Sequence, residues 1–165
     1  MANWEKLAAV GLPIEDENAR LGSIEIYLKS PSFEKMQFAV EVIADSGETW
    51  AMRAEVCRFV CDIESKEWPR TNLSKAIYEI LSDHDENLTL RQWAAFNVGK
   101  CQEDSELVKI ASDLIADSED LRWNIIDSLN ESEIIVPEMR SSLKKISMQN
   151  DVGDEIRNAV LGFLT

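Results

Sequence analysis

One local pattern occurs four times along the chain, and it restricts the fold more than any other feature of the sequence. Each copy has an apolar residue, an arginine, two unrestricted positions, two apolar or small residues, two more unrestricted positions and a final apolar residue. The copies are MRAEVCRFV (52–60), LRQWAAFNV (90–98), LRWNIIDSL (121–129) and IRNAVLGFL (156–164). The arginines are separated by 38, 31 and 35 residues. A repeat of this length predicts stacked helical units.

An amphipathic segment precedes each copy of the arginine pattern. The segments are FEKMQFAVEVIAD (33–45), LSKAIYEILSD (73–83), ELVKIASDLIAD (106–117) and the less regular VPEMRSSLKKISMQND (136–151). Glycine and proline are scarce, at six and four residues, and valine-rich alternating runs are absent, so helices are favoured over strands. Each unit is therefore predicted to be a first helix, a polar turn and a second helix that carries the arginine.

These helix pairs resemble the HEAT-repeat family over about residues 31–165. The resemblance implies an all-α fold, a short right-handed α-solenoid of about four helix pairs. The predicted repeats span about 31–64, 68–101, 104–131 and 136–165. The segments NWEKLAAV and IEDENARLGSIEIYLK predict a short and a longer helix, so residues 1–30 are expected to be an N-terminal helical cap of one domain, 1–165. The proline that the family carries in its first helix has no regular counterpart here.

The same resemblance implies a structural role for the arginines. In that family an acid in the turn and an arginine early in the second helix form a ladder between adjacent repeats. The matching arginines are Arg53, Arg91, Arg122 and Arg157, and the matching acids are Asp45, Asp85 or Asp83, Asp117 and Asp151. A guanidinium at such a junction can satisfy its donors with carboxylates and turn carbonyls. The alternative is that the arginines bind a partner. The structural role is favoured because the arginine position repeats while the exposed residues do not.

Helix geometry separates a core stripe from a candidate binding surface. At about 100° per residue, positions −1, +3, +4 and +7 from each arginine share one side of the second helix and are predicted to be core. Positions +1, +2 and +5 lie opposite, on what the HEAT resemblance implies is the concave face. The predicted partner-binding residues there and in the adjoining turns are Glu55, Glu86, Trp93, Phe96, Asn97, Glu119, Trp123, Asn124 and Asp127. Aromatic anchors surrounded by amides and acids are typical of a protein-binding hot spot. The alternative is that Trp93 and Trp123 pack on the N-terminal segment or on the next helix.

Charge excludes some partners and favours others. Lysine and arginine number 17 against 31 aspartates and glutamates, a formal charge of −14. Such a surface repels nucleic-acid phosphates and anionic membranes and attracts basic proteins. The alternative is that the charge serves solubility alone. No signal peptide or membrane-spanning run is predicted from the sequence, and the odd cysteine count (Cys57, Cys61, Cys101) is typical of a reduced, cytoplasmic protein.

Catalytic chemistry, cofactors and metals are not expected. His84 is the one histidine, in the turn SDHDENL, and no nucleophile is evident for it to activate. A zinc site from His84 and the three cysteines would need ligands from different repeats without any short ligand pair. Glycine-rich phosphate loops and serine elbows are also absent from the sequence.

Three functional hypotheses follow. The first is a binding protein for a basic partner, similar in type to bacterial immunity proteins that neutralise cationic toxins such as nucleases. The second is a general HEAT-like scaffold or regulatory adaptor in the cytoplasm. The third is an enzyme, because some HEAT-like proteins resemble glycosylases of alkylated DNA and others resemble bilin lyases. A glycosylase needs a basic groove, which the charge of −14 opposes. The sequence leaves the partner and the oligomeric state open.

Overall fold

The computed structural model describes residues 2–63, 69–130, 132, 135–149 and 152–164. Within these ranges the secondary structure is helical and includes no strand, which confirms the all-α prediction. The α-helices are α1 (Glu5–Ala8), α2 (Glu17–Leu28), α3 (Phe33–Ala44), α4 (Trp50–Cys61), α5 (Arg70–Ser82), α6 (Leu88–Ala95), α7 (Ser105–Asp117), α8 (Glu119–Ser128), α9 (Pro137–Ser147) and α10 (Asp154–Leu164). A 3₁₀ helix, Val98–Cys101, follows α6. Each of the four predicted repeat ranges contains two α-helices, and the cap range contains α1 and α2.

Side-chain caps determine where several helices begin. The residues that accept a hydrogen bond from a backbone N–H two or three residues later are Asp16, Ser32, Thr49, Asn87 and Asp104. Each satisfies an N–H group that has no partner within its helix. Pro137 starts α9 instead, with a φ angle that already suits a helix. None of the helices in the described ranges combines the length and apolar character needed to cross a membrane.

The chain divides into two compact units, Met1–Ala76 and Ile77–Thr165, and α5 contributes residues to both. In the first unit, α3 packs against α4, and α2 packs against both. Phe38 is fully buried there, and the rings of Trp4 and Tyr27 meet it edge to face at centroid distances of 5.3 and 6.0 Å. This aromatic cluster attaches α1 and α2 to α3.

The second unit, Ile77–Thr165, is organised in two rows of helices. One row contains α6, α8 and α10, with α6 packed on α8 and α8 on α10. The other row contains α7 packed on α9, and the rows are joined by the pairs α7–α8 and α9–α10. Alternate helices of the chain therefore fall in the same row within this unit.

The predicted core stripe is confirmed for three of the four second helices. All twelve residues at positions −1, +3, +4 and +7 from Arg53, Arg91 and Arg122 are at most 1% exposed. In α10 the pattern holds less well, because Val160 is buried while Leu161 is 47% exposed.

Helix α6 is shorter than the pattern LRQWAAFNV predicts, and Gly99 lies in the segment that follows it. The helix ends at Ala95 and the chain continues into the 3₁₀ helix, which packs against α8. A Cβ at Gly99 would overlap the backbone carbonyl of Ser128 and lie 2.9 Å from the hydroxyl of Ser132. The backbone of the 3₁₀ helix can approach the end of α8 this closely because residue 99 has no side chain.

Candidate functional site

The four repeated arginines share one position relative to the helix start. The backbone N–H of each donates to the carbonyl of the residue immediately before its helix, at 3.0–3.1 Å. Those residues are Thr49, Asn87, Ser118 and Gly153. Each arginine is thus the fourth residue of its helix. The tilt of the Cα–Cβ bond directs its side chain towards the N-terminal end of that helix, where the chain arrives from the preceding helix.

The arginine side chains donate to backbone carbonyls near the end of the preceding helix. Arg53 Nε donates to Ile43 O at 2.9 Å, and an Arg91 Nη donates to Leu81 O at 3.1 Å. Arg122 donates to Ile115 O at 2.7 Å and to Ala116 O at 2.8 Å. Arg157 donates to the carbonyls of Gln149 and Val152. The last carbonyls of a helix lack intrahelical partners and form the negative end of its dipole, so a guanidinium is a fitting cap.

Two of the acids expected in the ladder, Asp45 and Asp83, accept hydrogen bonds from backbone N–H groups. In the described part of the chain, neither Arg91 nor Arg122 forms an ion pair with a carboxylate. Asp45 accepts hydrogen bonds from the backbone of Ala2 and Gly47, and Asp83 accepts one from Asp85. Asp117 is exposed at the end of α7, and Asp151 lies outside the described residues. The described side-chain contacts of Arg91 and Arg122 are thus to helix-end carbonyls, and Arg91 Nε is buried without a hydrogen-bond partner among the described residues.

A fifth arginine occupies the same position in the N-terminal region, where no repeat was predicted. Arg20 is the fourth residue after Asp16, and its backbone N–H donates to the Asp16 carbonyl at 3.0 Å. Its side chain bonds Glu48 at 3.0 Å and stacks on the ring of Trp4. The indole of Trp4 donates to the same carboxylate at 2.7 Å. The capping residue Asp16, four positions before Arg20, is the sequence signal that could have revealed it.

Helices α6 and α8 bring most of the predicted partner-binding residues together. On α6, the half-buried rings of Trp93 and Phe96 lie 5.2 Å apart with a tilt of 39°. On α8, Trp123 is 36% exposed, and Asn124 and Asp127 are half-buried on the same helix. Gln92 Nε2 donates to the carbonyl of Asp120 at 3.4 Å, which connects α6 to the first turn of α8.

We call this the α6–α8 surface. It consists of Gln92, Trp93, Phe96, Glu119, Asp120, Trp123, Asn124 and Asp127. Sequence reasoning missed Gln92 and Asp120 as members, although Gln92 stands at position +1 from Arg91 and points away from the predicted core. Carboxylates at Glu119 and Asp120 are exposed and form no ion pair with any described residue.

Three predicted residues are not members of the surface as defined above. Asn97 is 0% exposed and its amide donates to the Trp93 carbonyl at 2.9 Å, so the prediction that it contacts a partner is wrong. Asn97 is at position +6 from Arg91, which on a helix lies within about 20° of the core position −1. Glu55 lies in the unit Met1–Ala76 and pairs with Arg58 at 2.8 Å. Glu86 is half-buried in the turn before α6, where its carboxylate accepts the Asn87 N–H.

Negative charge is concentrated in the unit that carries the α6–α8 surface. Residues 77–165 contain 18 acids and 8 bases, a formal charge of −10, whereas residues 1–76 contain 13 acids and 9 bases, a formal charge of −4. Arg91, Arg122 and Arg157 donate to backbone carbonyls but keep their charges. The net charge of this unit, −10, can act on a partner at a distance.

The cysteines and the histidine do not form a reactive or metal-binding group in the described ranges. Cys57, Cys61 and Cys101 form no disulfide, and burial raises the pKa of the Cys57 thiol well above its usual range. His84 is exposed in the turn between α5 and α6. Among the residues that the structure describes, no three His, Cys, Asp or Glu side chains are grouped as metal ligands would be.

Comparisons with protein-family models, with curated proteins and with solved structures found no match to this chain.

Proposed function

We propose that this chain is a non-catalytic protein-binding module, built as a short HEAT-like α-solenoid, that binds a basic protein through the α6–α8 surface. In its most specific form the proposal is a cytoplasmic bacterial immunity protein that occludes and neutralises a basic toxin, such as a nuclease. The two rows of helices in Ile77–Thr165 and the recurring arginine contact support the solenoid.

The observation that carries the binding proposal is the combination of aromatic rings and unpaired acids on two adjacent helices. Trp93, Phe96 and Trp123 offer large apolar area with little rotamer entropy to lose, which is why such residues dominate binding energy at interfaces. In the described ranges the indole N–H groups of Trp93 and Trp123 have no protein acceptor, so each can donate to a partner.

The acids around these rings select the sign of the partner's charge. Glu119, Asp120 and Asp127 stand three or four residues from Trp123 on α8, so they share its side of the helix. A cationic protein would be steered towards them, whereas a phosphate backbone would be repelled. Burial of an arginine or lysine of the partner beside Trp123 would also be favoured by the ring's negative face.

The test begins with the physiological partner, purified from the native cell with the tagged chain and identified by mass spectrometry. Association and dissociation rates are then measured by surface plasmon resonance for the wild type, Trp123→Ala and Asp127→Asn. Trp50→Ala is the matched control, because Trp50 is 48% exposed on α4 in the other unit. We expect Trp123→Ala to raise the dissociation rate about tenfold or more and Trp50→Ala to leave it unchanged.

Several outcomes would refute the proposal. An acidic partner, or wild-type rates for both Trp123→Ala and Asp127→Asn, would remove the α6–α8 surface from the interaction. If the partner is a nuclease, an equimolar amount of this chain should abolish its activity. A basic partner that keeps its activity in the complex would favour a scaffold or adaptor role over an immunity protein.

A further inference from the structure

Trp4, Arg20 and Glu48 form a three-part contact within the unit Met1–Ala76. The central guanidinium carbon of Arg20 lies 5.0 Å from the centroid of the Trp4 ring, and Arg20 Nη1 donates to Glu48 Oε1 at 3.0 Å. The Trp4 Nε1–H donates to the same carboxylate oxygen at 2.7 Å. A guanidinium can contact a ring through its flat face and a carboxylate through its edge at the same time. In this fold, an indole and a carboxylate therefore hold an arginine together.

Lysines of the same unit meet these two requirements less well. Lys6 Nζ lies 5.8 Å from the centroid of the Phe38 ring and 3.4 Å from the Glu41 carboxylate. Lys35 Nζ lies 4.8 Å from the centroid of the Tyr27 ring, but its side-chain hydrogen bond is to a serine hydroxyl and not to a carboxylate. A compact ammonium has no flat face to place on a ring. A ring and a carboxylate together therefore favour arginine over lysine.

The α6–α8 surface offers an indole and carboxylates of the same kind. Trp123 is 36% exposed, and among the described residues no cation lies over its ring and no acceptor binds its Nε1–H. Glu119 and Asp120 precede Trp123 by four and three residues on α8. Helical side chains lean towards the N-terminal end of their helix, so the Trp123 side chain is directed to the turn that carries these two carboxylates.

Hydrogen bonding distinguishes the acids of α8. Asp127 Oδ1 accepts a hydrogen bond from Asn130 Nδ2 at 3.0 Å. The carboxylates of Glu119 and Asp120 are exposed and accept no hydrogen bond from any described residue. Glu119 and Asp120 therefore offer a guanidinium more acceptor positions than Asp127 does.

We propose that Trp123, Glu119 and Asp120 form an arginine-selective contact site. The guanidinium lies against the indole and directs its N–H groups to the two carboxylates, as Arg20 does with Trp4 and Glu48. The carboxylates alone would attract either cation, and the exposed ring is what selects arginine. This inference rests on the proposed function, and it specifies that the basic partner presents an arginine to Trp123.

The experiment uses NMR of the ¹⁵N-labelled full chain, in which the indole N–H signal of Trp123 is assigned by its loss in Trp123→Leu. The probes are two acetylated and amidated peptides of equal charge, in which glycine alternates with three arginines or with three lysines. We expect the arginine peptide to shift the Trp123 signal with a Kd on the order of 1 mM, and the lysine peptide to bind about three- to fivefold more weakly.

Variants separate the contribution of the ring from that of the carboxylates. Trp123→Leu keeps an apolar side chain but removes the π face, so both peptides should bind it with equal, weaker affinity, measured from backbone signals of α8. Glu119→Gln combined with Asp120→Asn should weaken binding of the arginine peptide about fivefold, and Asp127→Asn should weaken it less than about twofold. Trp50→Leu is the matched control, because Trp50 is 48% exposed in the other unit, and it should keep the preference for arginine.

Two results would overturn the arginine site. One is equal affinity of the wild type for the two peptides, and the other is a preference for arginine that persists in Trp123→Leu. The physiological partner distinguishes this failure from failure of the proposed function. If Trp123→Ala weakens the complex but replacing the partner's exposed arginines by lysine does not, the arginine inference fails and the proposed function stands. If the peptides show the preference but the partner binds Trp123→Ala with wild-type affinity, the arginine site stands and the proposed function fails.

Discussion

Arg20 in one compact unit and Arg122 in the other occupy the same position in their helices but have different partners. In Met1–Ala76, Lys6, Arg20 and Arg58 form ion pairs with Glu41, Glu48 and Glu55, and each also lies over an aromatic ring. In Ile77–Thr165, Arg91 and Arg122 are directed to backbone carbonyls, so their charge caps helix ends instead of balancing carboxylates. Arg53 in the first unit also donates to a helix-end carbonyl, and Arg157 in the second unit also pairs with Asp154. The excess of acid in Ile77–Thr165 therefore comes from its composition, 18 acids against 8 bases.

This difference separates structural from functional uses of charge. The Arg20–Glu48 pair connects α2 to the turn before α4, and Glu48 is only 9% exposed, so that carboxylate contributes to the fold. Glu119 and Asp120 are exposed on α8, four and three residues before Trp123 of the α6–α8 surface. They complement the dipole at the start of α8, but that role leaves both carboxylates accessible to a partner.

The largest change in the free energy of unfolding that we expect comes from replacing a glycine by alanine, and each unit offers one glycine for comparison. Gly99→Ala should lower the free energy of unfolding by about 3 kcal/mol, because the new Cβ overlaps the Ser128 carbonyl and backbone atoms must move. Gly22→Ala in α2 should raise it by about 0.5–1 kcal/mol, because the Cβ meets open space and alanine favours a helix. Urea unfolding followed by circular dichroism measures both. Equal effects of the two substitutions would mean that the close approach at Gly99 is not rigid.

The next effect compares the two kinds of arginine contact. Arg122→Ala should lower the free energy of unfolding by about 2–3 kcal/mol, since it leaves helix-end carbonyls without a charged donor. Arg20→Ala should lower it by about 1 kcal/mol, and 1 M NaCl should reduce only this second effect, because salt screens the partly exposed ion pair.

Measurements of partner affinity test whether Arg91 and Arg122 are structural residues or contact residues. Arg91→Ala and Arg122→Ala should retain wild-type affinity for the partner under conditions where both variants are folded. Loss of binding at unchanged melting temperature would identify the arginines as contact residues and contradict their structural role.

A third prediction concerns association rates. Replacing Glu119 by Gln and Asp120 by Asn together should reduce the association rate with a basic partner about three- to tenfold at low salt. The matched control replaces Glu25 and Glu34, two exposed acids of the first unit, by Gln and should leave the rate unchanged. Stopped-flow fluorescence across a salt series measures both. If the two double variants slow association equally, the net charge and not the α6–α8 surface steers the partner.

The smallest effect is the pH dependence from Asp45. Burial alone would raise the pKa of Asp45, but hydrogen bonds from the backbone N–H groups of Ala2 and Gly47 hold that pKa below its usual value of 3.8. Because the pKa is lower in the folded state, the ionised carboxylate stabilises the fold at pH values above the unfolded-state pKa. This stabilisation is lost as the pH falls through the folded-state pKa. Asp45→Asn should therefore be less stable than the wild type at pH 7, and the difference should shrink below about pH 4. A difference that stays constant from pH 7 to pH 2 in urea unfolding would show that the charge does not contribute.

Much of the helix layout was predictable because it depends on neighbours a few residues apart. The 3.6-residue period placed Leu90, Ala94 and Ala95 in the core, and all three are fully buried. Residues of the Ser, Thr, Asp and Asn class mark the starts of α2, α3, α4, α6 and α7 through local capping bonds. Solenoid handedness and the partner remain predictions, since they depend on more than local spacing.

The amino-acid sequence by itself determined the all-α class, the positions of the repeated arginines and which helix faces are apolar. The tertiary structure decided that Arg122 caps carbonyls while Arg20 pairs with a carboxylate, that Asn97 is buried and that Gly99 permits a close backbone approach. Local periodicity fixes the direction in which a side chain leaves its helix. Its partner is whichever group a distant segment brings within about 3 Å, and only the packed helices determine that group.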